Sequence, residues 1–157
     1  MEHTTANPYK TPGSEVLNTN AKAGAMNFKR ISAWGVFGLG IITLGIYYIY
    51  WMYNRAQVIN QFHGEKISAG LLNGFVAIVI ATFLSGFITE FVDESGLILE
   101  AILNLAYFVL WLLVIFGIRS RLENILARKL NGIMTFFFGG LYLQYKINEA
   151  IDESIQE

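Results

Sequence analysis

The side chains that could do chemistry are few and scattered. The two histidines, His3 and His63, fall in separate polar stretches, and neither sits at metal-ligand spacing from another ligand. Glu90, Asp93, Glu94 and Glu100 are the densest acidic group; they could attract cations at an outer surface, but such a cluster is more often a solvated turn next to a helix end. Asn73 and Asn104 lie in apolar runs, where amides can bond across helices for ~0.6–2 kcal/mol. With no cysteine, thiolate catalysis, zinc–thiolate sites and iron–sulfur clusters are excluded. No nucleophile–base pairing, phosphate-cradling glycine loop or metal spacing is visible. The pattern points to no enzyme, no cofactor and no metal.

The elements around these residues are membrane-like. Of 157 residues, 54% are hydrophobic and only 15% charged, against about 25% charged in soluble domains. Mean hydropathy is +0.46. A net charge of -1 argues against nucleic acid as a partner, since such binders carry a basic excess. Residues 1–28 are polar and hold both prolines, which reads as a flexible tail. It lacks the order of a secretory signal.

Four apolar segments follow. Ile31–Tyr53 and Ile67–Thr89 carry no charge, Leu97–Ile118 carries only Glu100, and Leu130–Tyr145 is shorter. A helix rises ~1.5 Å per residue against a hydrocarbon core of ~30 Å. The second and third segments therefore span comfortably. Gly35, Gly38, Gly40 and Gly45 interrupt the first, each weakening a helix by up to ~1 kcal/mol.

The cations choose among topologies. Six of the 11 basic residues (Lys10, Lys22, Lys29, Arg30, Arg55, Lys66) precede the second segment, and five (Arg119, Arg121, Arg128, Lys129, Lys146) follow the third. Four spans would distribute them five to six, with no bias. Two spans place all 11 on one side. A model in which the fourth segment also spans gives ten to one and stays open. The expected architecture is an all-α integral membrane protein: a two-helix transmembrane hairpin (67–89 and 97–118, the latter extending to 129). Glycine-broken, re-entrant or interfacial segments flank it at 29–62 and 130–148, with an acidic tail at 149–157. The N-terminus is expected in the cytoplasm.

The first and fourth segments resemble each other. Gly45, Tyr48, Trp51 and Asn54 recur as Gly139, Tyr142, Tyr145 and Asn148, 94 residues later without a gap. Spacings of three put Tyr48, Trp51 and Asn54 along one side of a helix, grading from apolar to polar. Similar membrane-boundary chemistry alone would also produce such a match.

The runs Ile42-Thr-Leu-Gly-Ile-Tyr-Tyr-Ile-Tyr-Trp-Met-Tyr53, Leu130-Asn-Gly and Phe138-Gly-Gly-Leu-Tyr-Leu-Gln-Tyr-Lys-Ile-Asn148 resemble a family of small bacterial inner-membrane proteins known only as a domain of unknown function. Asn7-Pro8-Tyr9 with Pro12 is similar to a short N-terminal signature in bacterial inner-membrane proteins. The resemblance covers about a quarter of the chain. It implies a bacterial inner-membrane setting and no activity.

Two further patterns concern partners. Gly70, Gly74, Ala77, Ala81 and Ser85 form a small-residue stripe suited to close helix packing. Lys29, Arg30, Arg119, Arg121, Arg128 and Lys129 form a basic collar suited to anionic lipid headgroups, with Leu122, Ile125 and Leu126 on another face of the same stretch. Glycine-broken backbone cannot face lipid unpaired, and two spans offer little surface to cover it. The expectation is a homo-oligomer or a complex with a larger membrane partner, acting by association as a subunit, regulator or immunity-type binding protein. The alternative is an oligomeric channel or transporter.

Overall fold

The computed structural model describes residues 23–62, 64–88 and 95–156. Of these, 81% are helical and none is in a strand, so the chain is all-α. The helices are α1 (Ala33–Ile42), α2 (Ile46–Ile59), α3 (Ala69–Ile88), α4 (Ser95–Ile125) and α5 (Gly132–Gln156). Two of them are long and apolar enough to cross a membrane: Ala69–Gly86, with mean hydropathy 1.9, and Gly96–Ile125, with 2.4.

The central rod is α4, ~46 Å long at the helical rise, with α3 packed against it in a hairpin. Their seam uses Leu72 and Phe75, the latter stacked on Tyr107 with ring centroids 6.0 Å apart. Beyond the start of α3 the rod is sheathed differently. Val114, Ile115, Ile118 and Leu122 recur every three or four residues, so they share one face. They are fully buried with Trp51, Met52 and Ala56 of α2 and Leu143 and Ile147 of α5. Fully burying one such aliphatic side chain stabilises by ~1.5–3 kcal/mol. The first half of α4 has no such cover: Leu97, Ile98, Ile102 and Leu105 are each more than half exposed.

Both glycine-broken segments fold back on themselves alongside this rod. Tyr48, near the start of α2, lies beside Trp111, about the midpoint of α4, while Ile59 and Phe62 lie beside Arg121 and Ile125. Thus α1 climbs to the midpoint and α2 descends from it. In α5, Gly132 lies against Phe116 and Arg119 and Gly139 against Trp111. The chain then returns, since Tyr142 bonds Asn131 and Arg128 pairs with Glu149 and Glu153.

Several boundaries differ from the sequence expectation. Residues 23–28, expected in the flexible tail, are packed: Ala25 and Phe28 are buried, and Phe28 stacks on Phe62. The rest of that tail, with His3, His63 and the acidic turn Glu90, Asp93 and Glu94, lies outside the described residues. The rod stops at Ile125, short of 129, because Ala127 turns left-handed (φ 47°) and the Glu123 carboxylate accepts the Leu130 N–H at 2.7 Å. The expected acidic tail is the end of α5. Ala150 and Ile151 are buried there, and its carboxylates pair with Arg30, Arg128 and Lys146.

Candidate functional site

The most elaborated polar constellation is the joint between the two broken hairpins. The first tip is built locally. Ser32 caps α1 by accepting the Gly35 N–H at 3.2 Å. At the other end the Thr43 hydroxyl donates to the Leu39 carbonyl (2.7 Å) and accepts the Tyr47 N–H (2.9 Å), tying the end of α1 to the start of α2. The reversal passes through Leu44 (φ 50°) and Gly45 (φ 90°), with the Gly45 N–H donating to the Gly40 carbonyl. The second tip turns at Gly139 (φ 43°, ψ -120°), a conformation that a side chain would strain.

The two tips interlock. Tyr48 lies over Gly139 and Gly140, and its hydroxyl accepts the Gly140 N–H at 2.7 Å. A Cβ at Gly139 would collide with that hydroxyl, and one at Gly140 would lie 2.9 Å from the Trp51 ring. Glycine is required at both positions by space. Around the tips, Gly40, Gly45, Tyr48, Trp111, Phe137 and Leu141 line a cleft of about 310 Å³.

Below the tips, Gln144 is the hub. Its Oε1 accepts from Trp51 Nε1 at 2.8 Å and from Arg55 at 3.0 and 3.1 Å. Arg55 also donates to the Lys29 carbonyl at 3.0 Å, while the Gln144 amide donates to Asn148. Arg55 is 1% exposed, and no carboxylate among the described residues pairs with it. Burial pushes its pKa down. A guanidinium held only by neutral acceptors is costly to bury and costlier to leave unsatisfied. This makes the Gln144 oxygen a structural necessity. Asn148 completes the joint by donating to the Ile31 carbonyl at 2.7 Å.

The repeat residues thus meet, in unequal roles. Gly45, Tyr48 and Trp51 sit at the joint with Gly139 and Asn148, while Tyr142 bonds back to Asn131 (2.8 Å) and Tyr145 is exposed. Asn54 faces only the Arg55 guanidinium, at 3.5 Å. The small-residue stripe is not the α3–α4 seam. Ser85 is buried, whereas Gly70 and Ala77 are exposed and Gly74 and Ala81 are half-buried. Asn73 and Asn104 are both exposed.

Most of the collar is engaged within the chain. Arg30 meets Asp152 at 2.8 Å, Arg119 bonds the Leu130 carbonyl and Glu123, Arg121 bonds the Glu65 and Lys66 carbonyls, and Arg128 meets Glu149 and Glu153. Lys29 and Lys129 are exposed. Among the described residues no three His, Asp or Glu side chains converge as metal ligands.

Sequence reasoning found the tip glycines and missed Gln144 and Arg55. Arg55 entered only as one cation in a topology count. The available signal was a charge inside the helix that follows a membrane-like run, facing an amide at the matching depth of the second hairpin. No curated protein and no solved structure matches the chain. A family model does match residues 31–153, from just before α1 through most of α5. The chain belongs to that family, DUF4234, a domain of unknown function.

Proposed function

We propose that this chain is a small multi-pass protein of the bacterial inner membrane that works by association, as a subunit, regulator or immunity-type binding protein, without catalysis. The observation that carries the proposal is the division of its surface. From the hairpin tips outward, the chain presents bare apolar side chains: Leu44, Ile42 and Phe137 at the tips and Leu97, Ile98 and Leu105 on α4. Toward Ile125 lie all the described lysines and arginines, with Lys29 and Arg121 at the same end of the rod. In a bilayer this puts the cations at the cytoplasmic face, with α3 and α4 crossing and both tips dipping to about mid-depth. Lys29 and Lys129 then reach anionic headgroups, while the other collar arginines hold the hairpins together.

Association follows from what remains uncovered. The Gly70–Gly74 face of α3, beside the residues that line the α2–α3 groove, is open, and in lipid such a face gains by close contact with another helix. A second copy or a larger membrane protein supplies it. Cysteines introduced at Met26 and Lys129 should label from the cytoplasmic side only, and one at Ser95 only from outside. Labelling of Met26→Cys and Lys129→Cys from opposite sides would overturn the topology. Crosslinking in native membranes should trap a stoichiometric second component, and an untrapped, monodisperse monomer would overturn association.

The meeting of two hairpin tips halfway along α4 favours one other reading, an oligomeric channel or transporter, because broken segments line pores where they are buried in protein. Ion flux through the purified protein in liposomes separates the two.

A further inference from the structure

An open groove between α2 and α3, outside the hairpin joint, offers about 670 Å³. Its walls run antiparallel, because α2 descends from the tips while α3 climbs. Past one end of the groove two hydrogen bonds tie the segment after α2 to the one before α3: the Asn60 side chain accepts the Ile67 N–H at 2.7 Å and donates to the Ile67 carbonyl at 2.9 Å. Ile46, Ile49 and Ile80 line the groove toward the hairpin tips; Tyr50, Tyr53 and Asn73 line it toward the Asn60–Ile67 hydrogen bonds. None of these three polar side chains hydrogen-bonds another described residue. Lys66 is exposed just ahead of α3.

Polarity is therefore graded along the groove: aliphatic at the depth of the tips, with free hydroxyl and amide donors toward the charged end. Donors left unmet at membrane depth are unfavourable, so the occupant must bring acceptors to one end only. We infer that the groove is a binding site for one acyl chain of a phospholipid. The tail packs against Ile46, Ile49 and Ile80. The ester carbonyls accept hydrogen bonds from the tyrosine hydroxyls and the Asn73 amide, and the phosphate lies within the field of Lys66. This deepens the proposed membrane function and rests on it.

The test uses the full chain reconstituted in vesicles of phosphatidylethanolamine and phosphatidylglycerol, doped with a phosphatidylethanolamine carrying a diazirine at its chain end. After illumination, peptides from α2 and α3 should carry several-fold more label than the bare first half of α4. Ala77→Phe should bring that labelling down to the α4 level, while Leu105→Phe leaves it unchanged. If Ala77→Phe does not fold, Tyr53→Phe with Asn73→Leu removes donors without adding bulk and should lower the lipid retained through detergent washing. Label spread evenly over α2, α3 and α4 would overturn the inference. So would an Ala77→Cys variant that crosslinks copies in a chain without native cysteine, since the groove would then hold a second copy. Alkaline carbonate extraction of the same vesicles keeps the failures distinct: release of the chain sinks the membrane reading, whereas retention with even labelling sinks only the lipid site.

Discussion

The two broken hairpins share a sequence motif and a left-handed glycine at the tip, yet one is a knob and the other a socket. Gly45 has nothing within 4 Å of where a Cβ would stand, so only its φ of 90° calls for glycine. Gly139 needs glycine for its backbone and also for the Tyr48 hydroxyl that occupies the vacant side-chain space. Tyr48 crosses to the other hairpin, while its counterpart Tyr142 bonds within its own. Trp51 is buried on Gln144, and its counterpart Tyr145 is 55% exposed. A repeat can therefore set the same turn twice while tertiary contact assigns each copy a different task.

The largest effect should separate the two glycines. Gly139→Ala adds a collision to backbone strain and should cost about 4 kcal/mol. Gly45→Ala, strained but in open space, should cost only about 1 kcal/mol. Thermal unfolding in detergent would check this, and equal losses would break the knob-and-socket distinction.

Next comes the hub. Gln144→Ala leaves Trp51 and the Arg55 guanidinium without their shared acceptor and should lose ~3 kcal/mol. Changing its repeat counterpart, Tyr50→Ala, at an exposed position, should move stability by no more than ~0.5 kcal/mol. Removing the tyrosine hydroxyls sharpens the same contrast at lower cost. Tyr48→Phe strips the Gly140 N–H of its acceptor and should lose about 1 kcal/mol. Tyr142→Phe frees the N–H of exposed Asn131, which water can serve, and should lose less.

The smallest effect concerns pH. Hydrogen bonding to Arg30, aided by its charge, holds the Asp152 carboxyl below its usual range. The stabilisation from this pair is therefore complete above the ordinary carboxylate pKa and disappears as pH falls through the depressed value. Asp152→Asn should flatten the acid limb of the melting-temperature profile by the small amount expected of an exposed pair.

What could be read from the residues were features of single segments. Apolar runs of bilayer length announced α3 and α4, and glycine placement announced two interruptions, because helix length and backbone freedom depend on local sequence. The ends were less legible. Residues 149–157 read as an acidic tail, since their composition is charged; the neighbouring Arg30, Arg128 and Lys146 pair with its carboxylates, and residues 149–156 are the packed end of α5. The small-residue stripe on α3 marked a face for close helix packing without naming its partner, and Leu72 and Phe75 fill the contact with α4.

From sequence alone came the class of the protein: all-α, with two long apolar helices and a motif used twice. Tertiary structure alone decided that Tyr48 would enter the other hairpin's glycine pocket and that Gln144 would serve a buried Arg55. The physical reason is reach. Hydropathy and backbone preference act over a few neighbouring residues, whereas a buried donor chooses its acceptor among groups that only folding brings within hydrogen-bond distance.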